Sequence, residues 1–199
     1  MSKSMFRVPF NAKLLVQLAM LVALEIVLNR FLSIRTSFVK IGFSFVPIVV
    51  CAIANGPVWA TVVYVVADLT GTLIEGNIPL PGLTVGCAII GFMYGLFLFE
   101  LDRLTVGSIK MWLRVVLVAA INQFGVSLMF NTYWLWKAGF VGGGNPYFTS
   151  VLLRVPQTLI LLAVQIVLIP ALYQIVKVLR KQRLITPFSI KPRAEVMSK

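Results

Sequence analysis

Histidine is missing from the 199-residue chain, and acidic residues number only six. Without imidazole there is no Ser-His-Asp or Cys-His relay and no histidine-ligated zinc or haem. Cysteine is nearly as scarce. Cys51 and Cys87 lie inside apolar runs and are not spaced as CxxC, which fits small hydrophobes better than a disulfide or redox pair. Charge of either sign is thin at 12%, and what fills the chain instead is 59% hydrophobic sequence with a mean hydropathy of +0.96. A soluble domain is about 45–50% apolar and about 25% charged. The composition therefore predicts an all-α integral membrane protein. At about 20 residues per crossing, the length allows one membrane domain over residues 1–199 with six transmembrane helices.

Apolar runs bounded by charge, Pro or Gly place those helices at about 14–32, 42–55, 57–74, 83–101, 112–136 and 150–179. The first is not a cleavable signal peptide, since Glu25, Asn29 and Arg30 interrupt its second half and no small-residue cleavage site follows. The second is short for a bilayer, so it must be buried among neighbours, be extended at an end, or sit where the membrane thins. Asn55–Pro57 reads as a tight turn, with Pro opening the third helix where no amide donor is needed. Most of the 18 Lys and Arg fall near the termini, in 103–114 and in the basic tail 180–199. The remaining Arg30, Arg35, Lys40, Lys137 and Arg154 lie on the other side. By the positive-inside rule both termini are then cytoplasmic, and segments 33–41, 75–82 and 137–149 face outward. The tail reads as a solvated, lipid-attracted segment.

Polar residues on one face of a membrane helix line either a cavity or a helix contact. Three such faces reach the outer side. The third run carries Thr61, Tyr64, Asp68, Thr72 and Glu75; the fifth carries Gln123, Ser127, Asn131 and Trp134; the sixth carries Arg154, Gln157, Thr158, Leu161 and Gln165. Interhelical hydrogen bonding would satisfy many of them. Arg154, inside a span, calls for an anion or a wet cavity, and with Arg30, Arg35 and Lys40 it makes the outer mouth basic. The simple explanation is an anionic ligand. Asp68 and Glu75 would suit a complementary end with two parallel donors, although a salt bridge to one of the arginines or a proton relay fits them too. The proline-rich 75–82 and glycine-rich 139–146 segments can fold over a pocket as lids. Aromatic residues near the mouth, among them Phe45, Tyr133, Trp134 and Trp136, are candidates for ring stacking or for the interfacial belt. On the first helix Ala12, Ala19 and Ala23 form a small-residue face that allows close helix approach.

The run LNRFLSIRTSFVKIGFSFVPI at residues 28–48 resembles the start of the folate-family substrate-binding subunit of energy-coupling factor vitamin transporters. VADLTG at 66–71, PLPGLT at 79–84 and RVPQ at 154–157 follow in the order and spacing of that family. The resemblance implies six helices and an outward vitamin site capped by the first and third loops. It further implies a docking motif on the first helix, here Ala19 and Ala23, for a membrane scaffold (T) subunit carried by two ATPase (A) subunits. Transferring the pattern puts a folate or related pteridine against Arg35, Thr36, Lys40 and Phe45, with a lid around Pro81 and with Arg154 and Gln157 on the sixth helix. Asp68, Glu75, Asn131 and Trp134 join this set from the polar faces. No cofactor or metal is expected.

The chain has no G-x-x-x-x-G-K-[ST], so any ATP drive comes from partners. Two other readings stay open beside a folate-binding subunit in the prokaryotic cell membrane and a subunit for another vitamin. One is a proton-coupled secondary transporter using Glu25 and Asp68. The other is a membrane enzyme with Asp68 and Glu75 as acid and base, which the lack of a nucleophile–base pair disfavours.

Overall fold

In the computed structural model, which describes residues 12–35, 40–99, 108–140, 144 and 146–181, the chain is a helical bundle. Its helices are α1 (Ala12–Arg30), α2 (Phe45–Asn55), α3 (Pro57–Ile74), α4 (Pro81–Leu98), α5 (Ile109–Lys137) and α6 (Tyr147–Lys181). All but α2 are long and apolar enough to cross a membrane. A two-residue antiparallel ladder, β1 (Ile34–Arg35) with β2 (Lys40–Ile41), interrupts the connection from α1 to α2 and sets Arg35 opposite Lys40.

The burial pattern is that of a chain solvated by lipid. Large apolar residues such as Met20, Leu113 and Val167 point outward, at no cost where the surroundings are hydrocarbon. Only α2 is buried nearly all round, with Ile48, Val49, Cys51 and Ala52 fully enclosed. It packs on α1, α3, α4 and α6. At about 1.5 Å per residue its eleven residues rise about 16 Å, roughly half the hydrocarbon thickness. Burial among neighbours, one of the possibilities for a short second span, is what the bundle shows. The run expected to begin at 42 becomes helical only at Phe45, because residues 42–44 form the connection that leaves the ladder. Gly56, at φ 87°, makes the turn into α3, and Pro57 opens that helix.

Glycine sets the helix spacing around α4. A Cβ on Gly91 or Gly95 would collide with the backbone of Ala60 or Pro57 on α3. One turn or more toward the other end, Gly82 and Gly86 receive the Trp134 indole and the Asn131 amide of α5. Helix α4 thus offers a bare strip to each neighbour in turn.

Helix α5 changes winding midway. Residues Ile109–Ala120 and Asn131–Lys137 are α-helical, whereas Ile121–Phe130 follow the wider π winding. In a uniform α-helix, at about 100° per residue, Asn122, Gln123, Ser127 and Asn131 would span about 180°. The wider turn gathers them into a narrower arc. Helix α6 runs for 35 residues through Pro156 and Pro170, prolines that a membrane helix tolerates where neighbours support the freed carbonyls.

Candidate functional site

A cavity of about 210 Å³ opens between the helices at the end where α1, α3 and α5 finish and α2, α4 and α6 begin. Helix α3 contributes Tyr64 and Asp68, and α4 contributes Leu83, Cys87, Ile90 and Tyr94. From α5 come Asn122, Gln123, Ser127 and Asn131, the residues the π winding aligns. Arg154, Gln157, Leu161 and Gln165 line it from α6, and Asn29 of α1, Gly42 and Ser44 of the connection after the ladder, and Phe45 at the start of α2 border it.

Four side-chain hydrogen bonds organise this lining. Thr84 donates to Asp68 Oδ2 at 2.9 Å, tying α4 to α3. The Tyr94 hydroxyl donates to Gln165 Oε1 at 2.9 Å across the floor, where both groups are buried. Arg154 Nη1 donates to Thr132 Oγ1 at 2.7 Å. Asn29 Nδ2 donates to Glu25 Oε1 at 2.9 Å, so the fully buried Glu25 stands behind a cavity-facing amide. Asp68 and Arg154 share no ion pair with each other or with another described residue.

Of the residues selected from sequence, Phe45, Asp68, Asn131, Arg154 and Gln157 come together around the cavity. Arg35 and Lys40 sit in the ladder that leads to cavity-lining Gly42, and Thr36 lies outside the described residues. Pro81 is the exposed first residue of α4. Trp134 does not line the cavity but fills the notch at Gly82, with Lys137 Nζ 5.5 Å from its ring centroid. Edge-on ring contacts join Tyr133 to Trp134 and both Tyr133 and Trp136 to Tyr147, bracing the α5–α6 corner. Glu75 forms an ion pair with Arg30, whose guanidinium lies against Gly71 and also donates to Thr72 at 3.5 Å. Arg30 is therefore neutralised on α3 and does not add free charge to the mouth, which corrects its reading as one of the mouth's cations. Ala19 and Ala23 are exposed on α1.

Sequence reasoning passed over two of the floor residues. Tyr94 belongs to a stripe at 83, 87, 90 and 94, whose helical spacing was visible but whose other members are mostly apolar. Asn122 stands about 100° from Gln123 in an α-helix, and no residue pattern announced the change of winding.

The lining offers hydrogen bonds, one carboxylate and one guanidinium, a set suited to holding a polar molecule. The family model for ECF transporter, substrate-specific component, matches residues 13–173. The chain is 32% identical over 126 residues to a protein named Folate transporter FolT from Clostridium novyi (strain NT), covering 63% of this chain and 69% of that one. A Folate transporter FolT from Leuconostoc mesenteroides subsp. mesenteroides is 28% identical over 153 residues, 76% of this chain and 79% of the relative. Among solved structures, a crystal structure of FolT bound with folic acid superimposes with a TM-score of 0.70 at 26% identity, covering 82% of this chain and 94% of the other. With most of its length matched by that model, the chain belongs to the substrate-specific components of ECF transporters, a family of transport proteins and not of enzymes.

Proposed function

We propose that this chain is the folate-specific, substrate-binding subunit of an ATP-driven importer in the prokaryotic cell membrane. Folate joins a hydrogen-bonding pteridine ring to an anionic glutamate, and the cavity pairs polar floor groups with Arg154. That combination, in a chain whose relatives are named for folate, carries the reading. At about 210 Å³ the cavity is below the about 300–1,000 Å³ of sites that swallow a whole drug-sized ligand. It fits the ring and leaves the tail at the mouth.

In this reading residues 1–199 form one membrane domain that crosses six times, α2 spanning only part of the depth, with both termini cytoplasmic. Lys and Arg at the termini and in 103–114 support that orientation. Phe45, Asp68, Asn131, Arg154 and Gln157 contact the vitamin, while Arg35 and Lys40 of the ladder, together with Thr36, attract its tail. Pro81, Trp134 and Glu75 act on the lid and its supports. Ala19 and Ala23, exposed on α1, dock on the scaffold subunit, and two ATPases supply the work. Binding and release are the only chemistry.

Calorimetry on the purified chain tests the core of this proposal. Folic acid should bind with submicromolar affinity, near or beyond about −8 kcal/mol. Absence of heat and of competition by folates overturns it. So does concentrative folate uptake by liposomes holding this chain alone under a proton gradient.

A further inference from the structure

Helix α5 is anchored at two places that disagree in phase. Its first segment packs on the core through Val115, Val118 and Ala119, which are fully buried. Its last turns are held from both sides. The Asn131 amide enters the notch at Gly86 and the Trp134 indole the notch at Gly82, both on α4, while Thr132 accepts a hydrogen bond from Arg154 of α6. In a uniform α-helix, at about 100° per residue, Asn131 would lie about 160° around the axis from Val115, turned away from the bundle that Val115 faces. The π winding of Ile121–Phe130 supplies the missing phase.

Such winding is rare and mostly confined to a single turn, so ten residues of it need a restraint. The amides within the stretch form none: both polar atoms of the Asn122 amide and Oε1 of Gln123 are buried with no hydrogen-bond partner among the described residues. Gly125, with open space around an added carbon, packs against nothing that would hold it. Trp134 is different. A Cβ on Gly82 would overlap the indole at Cγ, its point of attachment, and at the fused bond, so turning the ring does not clear it. The indole N–H is buried and bonds no described residue. Shape therefore fixes the ring, and an edge-on contact at 6.5 Å joins it to Phe130, the last residue of the wide stretch. We propose that the seating of Trp134 against Gly82 holds α5 in its wide winding. Neither residue lines the cavity; both are positioning residues for Asn122, Gln123 and Ser127, which do.

The winding is read on the full chain in nanodiscs, by electron–electron resonance between nitroxides at Leu113→Cys and Met129→Cys, with Cys51 and Cys87 replaced by Ala. Both labelled positions are exposed, one on the first segment and one near the end of the wide stretch. Gly82→Ala and Trp134→Ala should each lengthen this distance, because a tighter helix rises more per residue, and the double variant should lengthen it no further. Val85→Ala, at an exposed position of the same helix, should leave it unchanged. Resting on the folate reading, the two rewound variants should also bind folic acid at least about tenfold more weakly by calorimetry. Trp134→Ala adds no bulk, so it carries the test if Gly82→Ala does not fold. An unchanged distance in Trp134→Ala overturns the proposal, and so does a lengthened distance with unaltered affinity for folic acid. If the unaltered chain does not bind folic acid, the folate reading falls and the distance alone decides what holds the winding.

Discussion

At the scale of single residues, the ion pair between Arg30 and Glu75 fixes the last turn of α1 to the last turn of α3. Its side chains are 13% and 26% exposed, which sets it between a surface pair and a fully buried one. Glu75→Gln should lower stability by about 1–3 kcal/mol, since the guanidinium left behind is mostly shielded from water. The measurement is thermal unfolding in detergent, and the double variant with Arg30→Gln should lose less than the sum of the two single losses. Tyr94→Phe removes the hydroxyl that satisfies Gln165. A further loss of about 1–3 kcal/mol is expected in the ligand-free protein from the stranded carbonyl. If the midpoint does not move, the bond across the floor contributes nothing to the fold.

Helix α4 offers the sharpest test at the scale of elements. Gly95→Leu places a branched side chain where Pro57 of α3 already stands, and should destabilise the protein by about 3 kcal/mol or more, with poor recovery from membranes. Gly125→Ala, at a position with open space around the added carbon, should change stability by less than about 0.5 kcal/mol. Equal effects from both would show that α3–α4 proximity is not what Gly95 provides. The apolar runs made a helical membrane protein legible, because hydropathy is a property of each segment alone. The polar faces likewise pointed to Asp68, Asn131, Arg154 and Gln157, since a helical period is written in the sequence. Other features belong to pairs of helices. The Gly82, Gly86, Gly91 and Gly95 series was readable as small residues at helical spacing, yet which neighbour each would meet depends on the bundle. The π stretch of α5 has no distinctive composition, so the side chains it gathers were open to view only one at a time. Glu75 and Trp134 lie close to the cavity's end of the bundle but turn to Arg30 and Gly82, choices made by packing and not by spacing.

For the molecule as a whole, the start of α1 and the end of α6 lie at the end of the bundle away from the cavity. A reporter fused to either terminus should therefore report one and the same side. Green fluorescent protein at the C-terminus should fluoresce and alkaline phosphatase there should be inactive in cells, and the reverse result would invert the proposed orientation. The stunted α2 has an effect on the entire molecule. From their shared turn at Gly56, α3 climbs about 27 Å while α2 climbs about 16 Å, so α2 ends about 10 Å beneath its neighbour's rim. In the connection from α1 to α2, Ile34 and Arg35 pair with Ile41 and Lys40, so this non-helical backbone bonds its own amides, as a membrane protein requires. A lowered sill beside cavity-lining Gly42 is the consequence, and it is the shortfall of one helix, not any added segment, that leaves room for it.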